Sequence, residues 1–129
     1  MKVLIIDDER AIRNSMKDIL ELDRHEVTLA EDGRQGVDKA LADSYDAIFC
    51  DVKMPQLNGE EVLEALAKAG CETPVIMISG HGDITTAVSC IKKGAFDFIE
   101  KPLDLNRILI SLKNATDKST LVKETVSLK

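Results

Sequence analysis

The sequence has few cysteines and few aromatic residues, and both shortages exclude kinds of chemistry. Its three cysteines, Cys50, Cys71 and Cys90, are widely spaced and form no Cys-x-x-Cys pair. This spacing argues against a zinc site or a dithiol redox centre. We expect three reduced packing residues in a cytosolic protein. Aromatic residues make up only 3% of the chain, too few to favour a site that sandwiches a flat ring.

Basic charge and long apolar runs are also scarce. The chain has 17 Lys and Arg against 23 Asp and Glu, a net charge of -6, which repels nucleic-acid backbones. We therefore expect no direct nucleic-acid binding by this segment. No apolar run could span a bilayer, and residues 3–6 are too short for a signal-peptide core. The 129 residues fit one cytoplasmic domain without membrane contact.

Five short apolar segments predict β-strands, and stretches of helical period lie between them. The strands are expected at residues 3–6, 27–30, 47–50, 75–78 and 96–99. The second and fifth alternate more than the others, which is typical of edge strands. Strict alternation of strand and helix with short connections requires parallel pairing. The sequence therefore predicts an α/β fold with a five-stranded sheet between helices.

Polar residues indicate where the helices begin and end. Asn58 with Glu61 predicts a capping box for the third helix, and Asp104 opens the fifth. The fourth is expected to begin after Asp83 and to stop at Gly94. Its helical period is marked by the apolar residues Ile84, Ala87, Val88 and Ile91. We predict one domain over residues 1–117, and a linker or helix extension over 118–129 that leads towards a further domain.

Reactive polar residues follow four of the predicted strands: Asp7 with Asp8, Asp51, Ser79 and Lys101. Parallel strands bring their carboxyl ends to one crevice, so these side chains should converge. Two carboxylates about 4 Å apart repel by about 4 kcal/mol at an effective dielectric near 20, so such a cluster either protonates or recruits a cation. Oxygen ligands favour magnesium or manganese. A solvated pair or a helix cap at Asp7 and Asp8 remains the alternative.

Asp51 is the best candidate nucleophile, because a carboxylate beside magnesium can attack phosphorus and form an aspartyl phosphate. Lys101 would offset the developing charge, and the Ser79 hydroxyl would bind a phosphoryl oxygen, with Gly80 leaving room for it. An ordinary surface lysine and a turn-forming serine remain the simpler interpretations.

In order, the motifs resemble the receiver domain of two-component response regulators across residues 1–117. They are Asp7-Asp8, Asp51-x-x-Met54-Pro55-x-x-Asn58-Gly59, Ser79-Gly80 and Lys101-Pro102. The resemblance implies a flavodoxin-like sheet in the order 2-1-3-4-5 with five helices. It also implies that Asp51 is the phosphoacceptor and that Asp7, Asp8, Asp51 and the backbone carbonyl of Lys53 serve Mg²⁺. Ser79 and Lys101 would bind the phosphoryl group, and the Lys101-Pro102 peptide would be cis.

The resemblance implies further roles around this site. Ser79 would move towards the phosphoryl group, and Phe98 occupies the aromatic switch position, where many receivers have tyrosine. Phe98 could equally be a plain core residue. Lys53 and His81, two residues beyond Asp51 and Ser79, occupy positions that tune the phosphorylated lifetime. Slow loss of the phosphoryl group, rather than turnover as an enzyme, is the expected activity.

The run from Gly80 to Phe98 resembles receivers of NtrC-type, sigma-54-dependent transcriptional activators. This implies a sensor histidine kinase as partner, and downstream ATPase and DNA-binding domains in the full-length protein. The face formed by helix 4, strand 5 and helix 5 is expected to change on phosphorylation. A homodimer through that face is one expectation.

Two other classes of protein fit part of this pattern. A magnesium-dependent phosphohydrolase would also form an aspartyl phosphate, but haloacid-dehalogenase-type enzymes place a second aspartate where this chain has Lys53. A flavin module of the same architecture would have a Ser/Thr/Gly-rich loop after the first strand, where this chain has Asp8-Glu9-Arg10.

Overall fold

A computed structural model describes residues 1–54, 57–80 and 82–128 of the chain, with side chains as far as residue 117. Strands and helices alternate throughout. The elements in chain order are β1 Lys2–Ile6, α1 Arg10–Leu22, β2 Glu26–Ala30, α2 Gly33–Ala42, β3 Ala47–Asp51, α3 Gly59–Lys68, β4 Val75–Ser79, α4 Ile84–Lys92, β5 Asp97–Glu100 and α5 Leu105–Leu128.

All five strands are parallel and lie in the order β2-β1-β3-β4-β5. The predicted sheet order and the two edge strands are therefore confirmed. The strands differ from prediction by about one residue at their ends. Both β3 and β4 continue into a polar residue, because Asp51 pairs in register with Ile78 and Ser79 with Glu100. These reactive residues thus belong to the rigid sheet itself.

Alternate side chains of the sheet form two apolar layers, one on each face. One layer includes Leu4, Ile48 and Met77 and packs with α2, α3 and α4. The other includes Ile5, Phe49 and Ile78 and packs with α1 and α5. A sheet covered on both faces explains why the central strands are almost continuously apolar.

The predicted cap of α3 is confirmed, but the cap of α4 is not. Asn58 accepts a hydrogen bond from the Glu61 N–H at 3.0 Å, and Glu61 accepts one from the Asn58 N–H at 3.1 Å. Asp83 does occupy the N-cap position of α4, yet its side chain caps no backbone N–H. The reason is geometric: its backbone, with φ -100° and ψ 15°, is not extended, and its carboxylate pairs with Lys53 instead.

The predicted helix α4 exists, but its apolar period does not mark the face that packs on the sheet. Ala87 and Cys90 are buried, whereas Ile84, Val88 and Ile91 are exposed by 39%, 43% and 37%. Small side chains therefore face the core, and the large aliphatic ones face solvent. Gly94 follows the helix with φ +113°, a left-handed conformation that favours glycine and supports the predicted stop.

The last helix, α5, is much longer than its packed part. Ile108, Leu112 and Ala115 are buried against the sheet, and the helical backbone continues to Leu128. None of the described helices is both long and apolar enough to cross a membrane.

Candidate functional site

The carboxyl ends of β1, β3, β4 and β5 bring the predicted site residues to one edge of the sheet. Asp7 follows β1 and is fully buried, while Asp8 beside it is exposed. Asp51 ends β3 and is 4% exposed. One carboxylate oxygen from each of Asp7, Asp8, Glu9 and Asp51 lies within 4.8 Å of all the others. The expected convergence of acids is therefore present.

Two buried oxygens of this site have no hydrogen-bond partner among the described residues. Asp7 Oδ1 accepts from the Glu9 N–H at 2.8 Å, but its Oδ2 is buried and unpaired. Ser79 is fully buried, and its Oγ is also unpaired. An unsatisfied buried polar group costs about 1–3 kcal/mol. A folded protein retains such unpaired atoms where a bound group supplies the missing interaction. Both oxygens therefore suit a site that binds a cation and an anionic group.

Burial and mutual repulsion oppose ionisation of the acids. Burial, followed by the charge of Asp7, raises the pKa of Asp51 to about 7, although Lys101 and the Lys53 N–H act in the opposite direction. Burial also raises the pKa of Asp7. A divalent cation would relieve this repulsion, and carboxylate oxygens are the ligands that Mg²⁺ prefers. The residues present therefore fit a magnesium ion.

Lys101 lies between two acids at the end of β5. Its Nζ is 3.1 Å from Glu9 Oε1 and 3.6 Å from Asp51 Oδ2. Burial lowers the pKa of Lys101, but the hydrogen bond to Glu9 and the charges of Asp51 and Asp7 raise it overall, so the side chain is an ammonium. The Lys101-Pro102 peptide is cis, which confirms that expectation.

The close approach of α3 to the end of β3 explains the glycine of the second motif. A Cβ added at Gly59 would lie 2.8 Å from the carbonyl oxygen of Asp51 and 2.4 Å from Met77 Cε. The Gly59 N–H also donates to the Val52 carbonyl at 2.8 Å. Only glycine allows this contact, which fixes the loop that follows Asp51.

Two of the predicted residues, Lys53 and Phe98, lie further out. The Lys53 side chain is exposed, and with Asp8, Met54 and Asn58 it lines an open depression of about 440 Å³ beside the acids. Phe98 is half-buried and packs against the core layer that includes Met77. His81 lies outside the described residues, so its predicted role stays a prediction.

Two contacts of the site are not predicted by the sequence. Glu9 binds Lys101 and joins the acid cluster; its position directly after Asp8 was the available signal. The ion pair between Lys53 and Asp83 is also not predicted, because the sequence indicates only a helix cap at Asp83.

Fold and site together define a doubly wound α/β domain with an acidic pocket, a buried hydroxyl and an ammonium at the carboxyl edge of its sheet. The family model described as "Response regulator receiver domain" matches residues 3–113. The chain belongs to this family, which confirms the resemblance. Receiver domains generally bind Mg²⁺ at such an acidic pocket.

The curated relatives include transcriptional regulators of the NtrC type. The chain is 37% identical over 129 residues to the nitrogen assimilation regulatory protein NtrX of Azorhizobium caulinodans, covering 98% of this chain and 28% of the relative. It is 34% identical over 128 residues to the C4-dicarboxylate transport transcriptional regulatory protein DctD of Pseudomonas aeruginosa, covering 99% and 28%. It thus spans little more than a quarter of the length of these two relatives.

Solved structures agree with these relatives. NtrX from Brucella abortus superposes with a TM-score of 0.93 at 36% identity, over 99% of this chain and 29% of that one. A receiver domain protein from Clostridium thermocellum gives 0.88 at 34% identity, over 94% and 98%. The expected likeness to receivers of NtrC-type activators is therefore confirmed.

Proposed function

We propose that this domain is a phosphorylation-dependent signalling switch. Asp51 accepts a phosphoryl group from a sensor histidine kinase in a magnesium-dependent reaction. The observation that carries the proposal is the position of Asp51, nearly buried among acids and 3.6 Å from the Lys101 ammonium. The family implies the kinase partner and a cytoplasmic location.

Each part of the site has a role in this proposal. Asp7, Asp8, Asp51 and the backbone carbonyl of Lys53 hold Mg²⁺, which offsets charge on the transferred group. Lys101 binds a phosphoryl oxygen as a compact positive charge. The unpaired Ser79 Oγ donates to another oxygen, and Phe98 then moves into the space behind it. The reaction is a self-catalysed transfer followed by slow hydrolysis, and Lys53 and His81 tune the phosphorylated lifetime.

The output surface is the face formed by α4, β5 and α5. Exposed aliphatic side chains are concentrated there: Ile84, Val88, Ile91 and Leu105. We propose that phosphorylation rearranges this face, which then controls an attached ATPase and DNA-binding region or forms a homodimer. The length of the curated relatives supports the existence of attached domains.

Intact-mass analysis after incubation with acetyl phosphate and magnesium tests the proposal. The wild-type chain should gain the mass of one phosphoryl group and lose it slowly. Asp51→Asn should gain none, and chelation of magnesium should abolish the gain. An adduct that persists in Asp51→Asn would reject Asp51 as the acceptor. Rapid turnover of many phosphate esters would instead favour the phosphohydrolase.

A further inference from the structure

An ion pair joins the loop after the acceptor strand to the start of α4. Lys53 Nζ lies 3.0 Å from Asp83 Oδ1, with side chains that are 77% and 11% exposed. Asp83 occupies the N-cap position of α4, but its carboxylate pairs with Lys53. The first N–H groups of a helix need such an acceptor, so the pairing leaves the cap of α4 unmade.

Both partners lie next to the proposed phosphoryl site. The Lys53 N–H lies beside the Asp51 carboxylate and lowers its pKa, and the Lys53 side chain lines the same depression as Asp8. Asp83 Oδ2 would lie 3.1 Å from a Cβ added at Gly80, the residue after Ser79. The pair thus connects the loop after Asp51 with the segment after Ser79.

We propose that Asp83 is a positioning residue for Lys53, and that a phosphoryl group on Asp51 takes Lys53 away from Asp83. The proposal rests on the proposed function, and it names the contact that couples the phosphoryl site to the start of α4. In the unphosphorylated protein the ion pair fixes the start of α4. In the phosphorylated protein that restraint is released.

The exchange follows from the different surroundings of the two partners. A phosphoryl group adds about 1.5 to 2 negative charges at a residue only two positions from Lys53. The exposed lysine side chain can turn towards this charge at little cost. Asp83 is nearly buried, so it needs a new partner, and the N–H groups at the start of α4, which have no side-chain cap, are the donors that a residue in this position binds. To bond them, Asp83 must adopt the extended backbone of a capping residue, which moves the first turn of α4.

A double-mutant cycle read by hydrogen exchange of the α4 amides tests this. Lys53→Gln, Asp83→Ala and the double variant are compared with wild type, unliganded and with magnesium and beryllium fluoride as the phosphoryl mimic. Without the mimic, each single variant should change the exchange rate of the α4 amides by about two- to fivefold, the range expected for one exposed ion pair. The double variant should exchange no faster than Asp83→Ala alone. With the mimic, the two substitutions should act independently.

Two further variants distinguish the loss of the ion pair from the loss of a positive charge in general. Lys53→Arg keeps the pair and should exchange like wild type. Lys92→Gln removes an exposed positive charge of α4 that pairs with no acid among the described residues, and it should show no coupling to Asp83→Ala. Additive effects of the two pair substitutions in the unliganded protein would overturn the proposal. Equal coupling with and without the mimic would also overturn it.

Intact mass after acetyl phosphate treatment distinguishes this proposal from the proposed function. A phosphoryl adduct on Asp51 together with undiminished coupling rejects the exchange of Lys53 and leaves the switch intact. Absence of any adduct in wild type rejects both.

Discussion

At the scale of single residues, Asp51 is held where its ionised form is disfavoured. Its pKa is about 7 in the folded chain against an ordinary value of 3.8, so the folded state binds the proton more tightly than the unfolded state. The resulting stabilisation is present at low pH and is lost as pH rises from about 4 to about 7. Ionised Asp51 therefore destabilises the magnesium-free protein at pH 8.

Asp51→Asn should consequently stabilise the protein at pH 8 but not at pH 4. One pKa unit corresponds to about 1.4 kcal/mol, and we expect a gain of about 2 kcal/mol because solvent reaches the open side of the site. Urea unfolding in the presence of a chelator measures the gain. Asp38→Asn, which removes an exposed carboxylate from α2, should give no pH-dependent gain. Equal gains at both pH values for Asp51→Asn would contradict the assignment.

The acid cluster also predicts that magnesium stabilises the folded chain. A ligand that binds only the folded state at 100 times its Kd adds about 2.7 kcal/mol to the unfolding free energy. We expect magnesium to raise the Tm at pH 8, and Asp8→Asn to weaken its affinity by about tenfold or more, equivalent to about 1.4 kcal/mol. Thermal unfolding against magnesium concentration gives both quantities. Asp18→Asn, an exposed acid on α1, serves as control, and equal affinities in all three proteins would refute the metal site.

Most residues of the site could be predicted because they obey a rule of backbone topology. Asp7, Asp51 and Ser79 stand at strand ends, and parallel strands place those ends together. This rule could not predict the ion-pair partners of Glu9 and Asp83. The direction of a long or loop-borne side chain depends on the turn that carries it, and sequence spacing does not specify that turn.

At the scale of elements, α4 shows where periodicity stops being informative. Apolar spacing predicted the helix, but it could not select the packed face, because apolar residues lie on both sides. Ala87 and Cys90 are buried beneath the helix, whereas Val88 faces solvent. The exposed apolar side is available for another contact, as the proposed output surface requires.

The capping box of α3 gives a prediction at this scale. Asn58→Ala removes the acceptor for the Glu61 N–H and should lower the free energy of unfolding by about 1 kcal/mol. Urea unfolding at constant pH measures the loss. Asn106→Ala changes an exposed asparagine in the first turn of α5 and should cost much less. Similar losses in the two variants would show that the cap contributes little.

At the scale of the whole molecule, a five-stranded parallel sheet follows from alternating strands and helices, and its order follows from the family resemblance, but the length of α5 follows from neither. The sequence left a linker and a helix extension open for residues 118–129, because its last apolar residues form no clear stripe. The helix continues to Leu128, while the family match ends at residue 113 and Ala115 is the last buried residue among those with described side chains. We infer that folding depends on α5 only up to about this point.

Shortening the chain tests that inference. A chain ending at residue 117 keeps Ser111, Leu112 and Ala115, all buried, and should unfold at nearly the wild-type urea concentration and accept a phosphoryl group on Asp51. A chain ending at residue 110 loses all three, together with the hydrogen bond from Ser111 Oγ to Asp97. Because truncating one buried leucine costs about 2–5 kcal/mol, this second chain should be largely unfolded. If the chain ending at 117 were equally unstable, the distal half of α5 would be part of the folded domain, and the proposed boundary would be wrong.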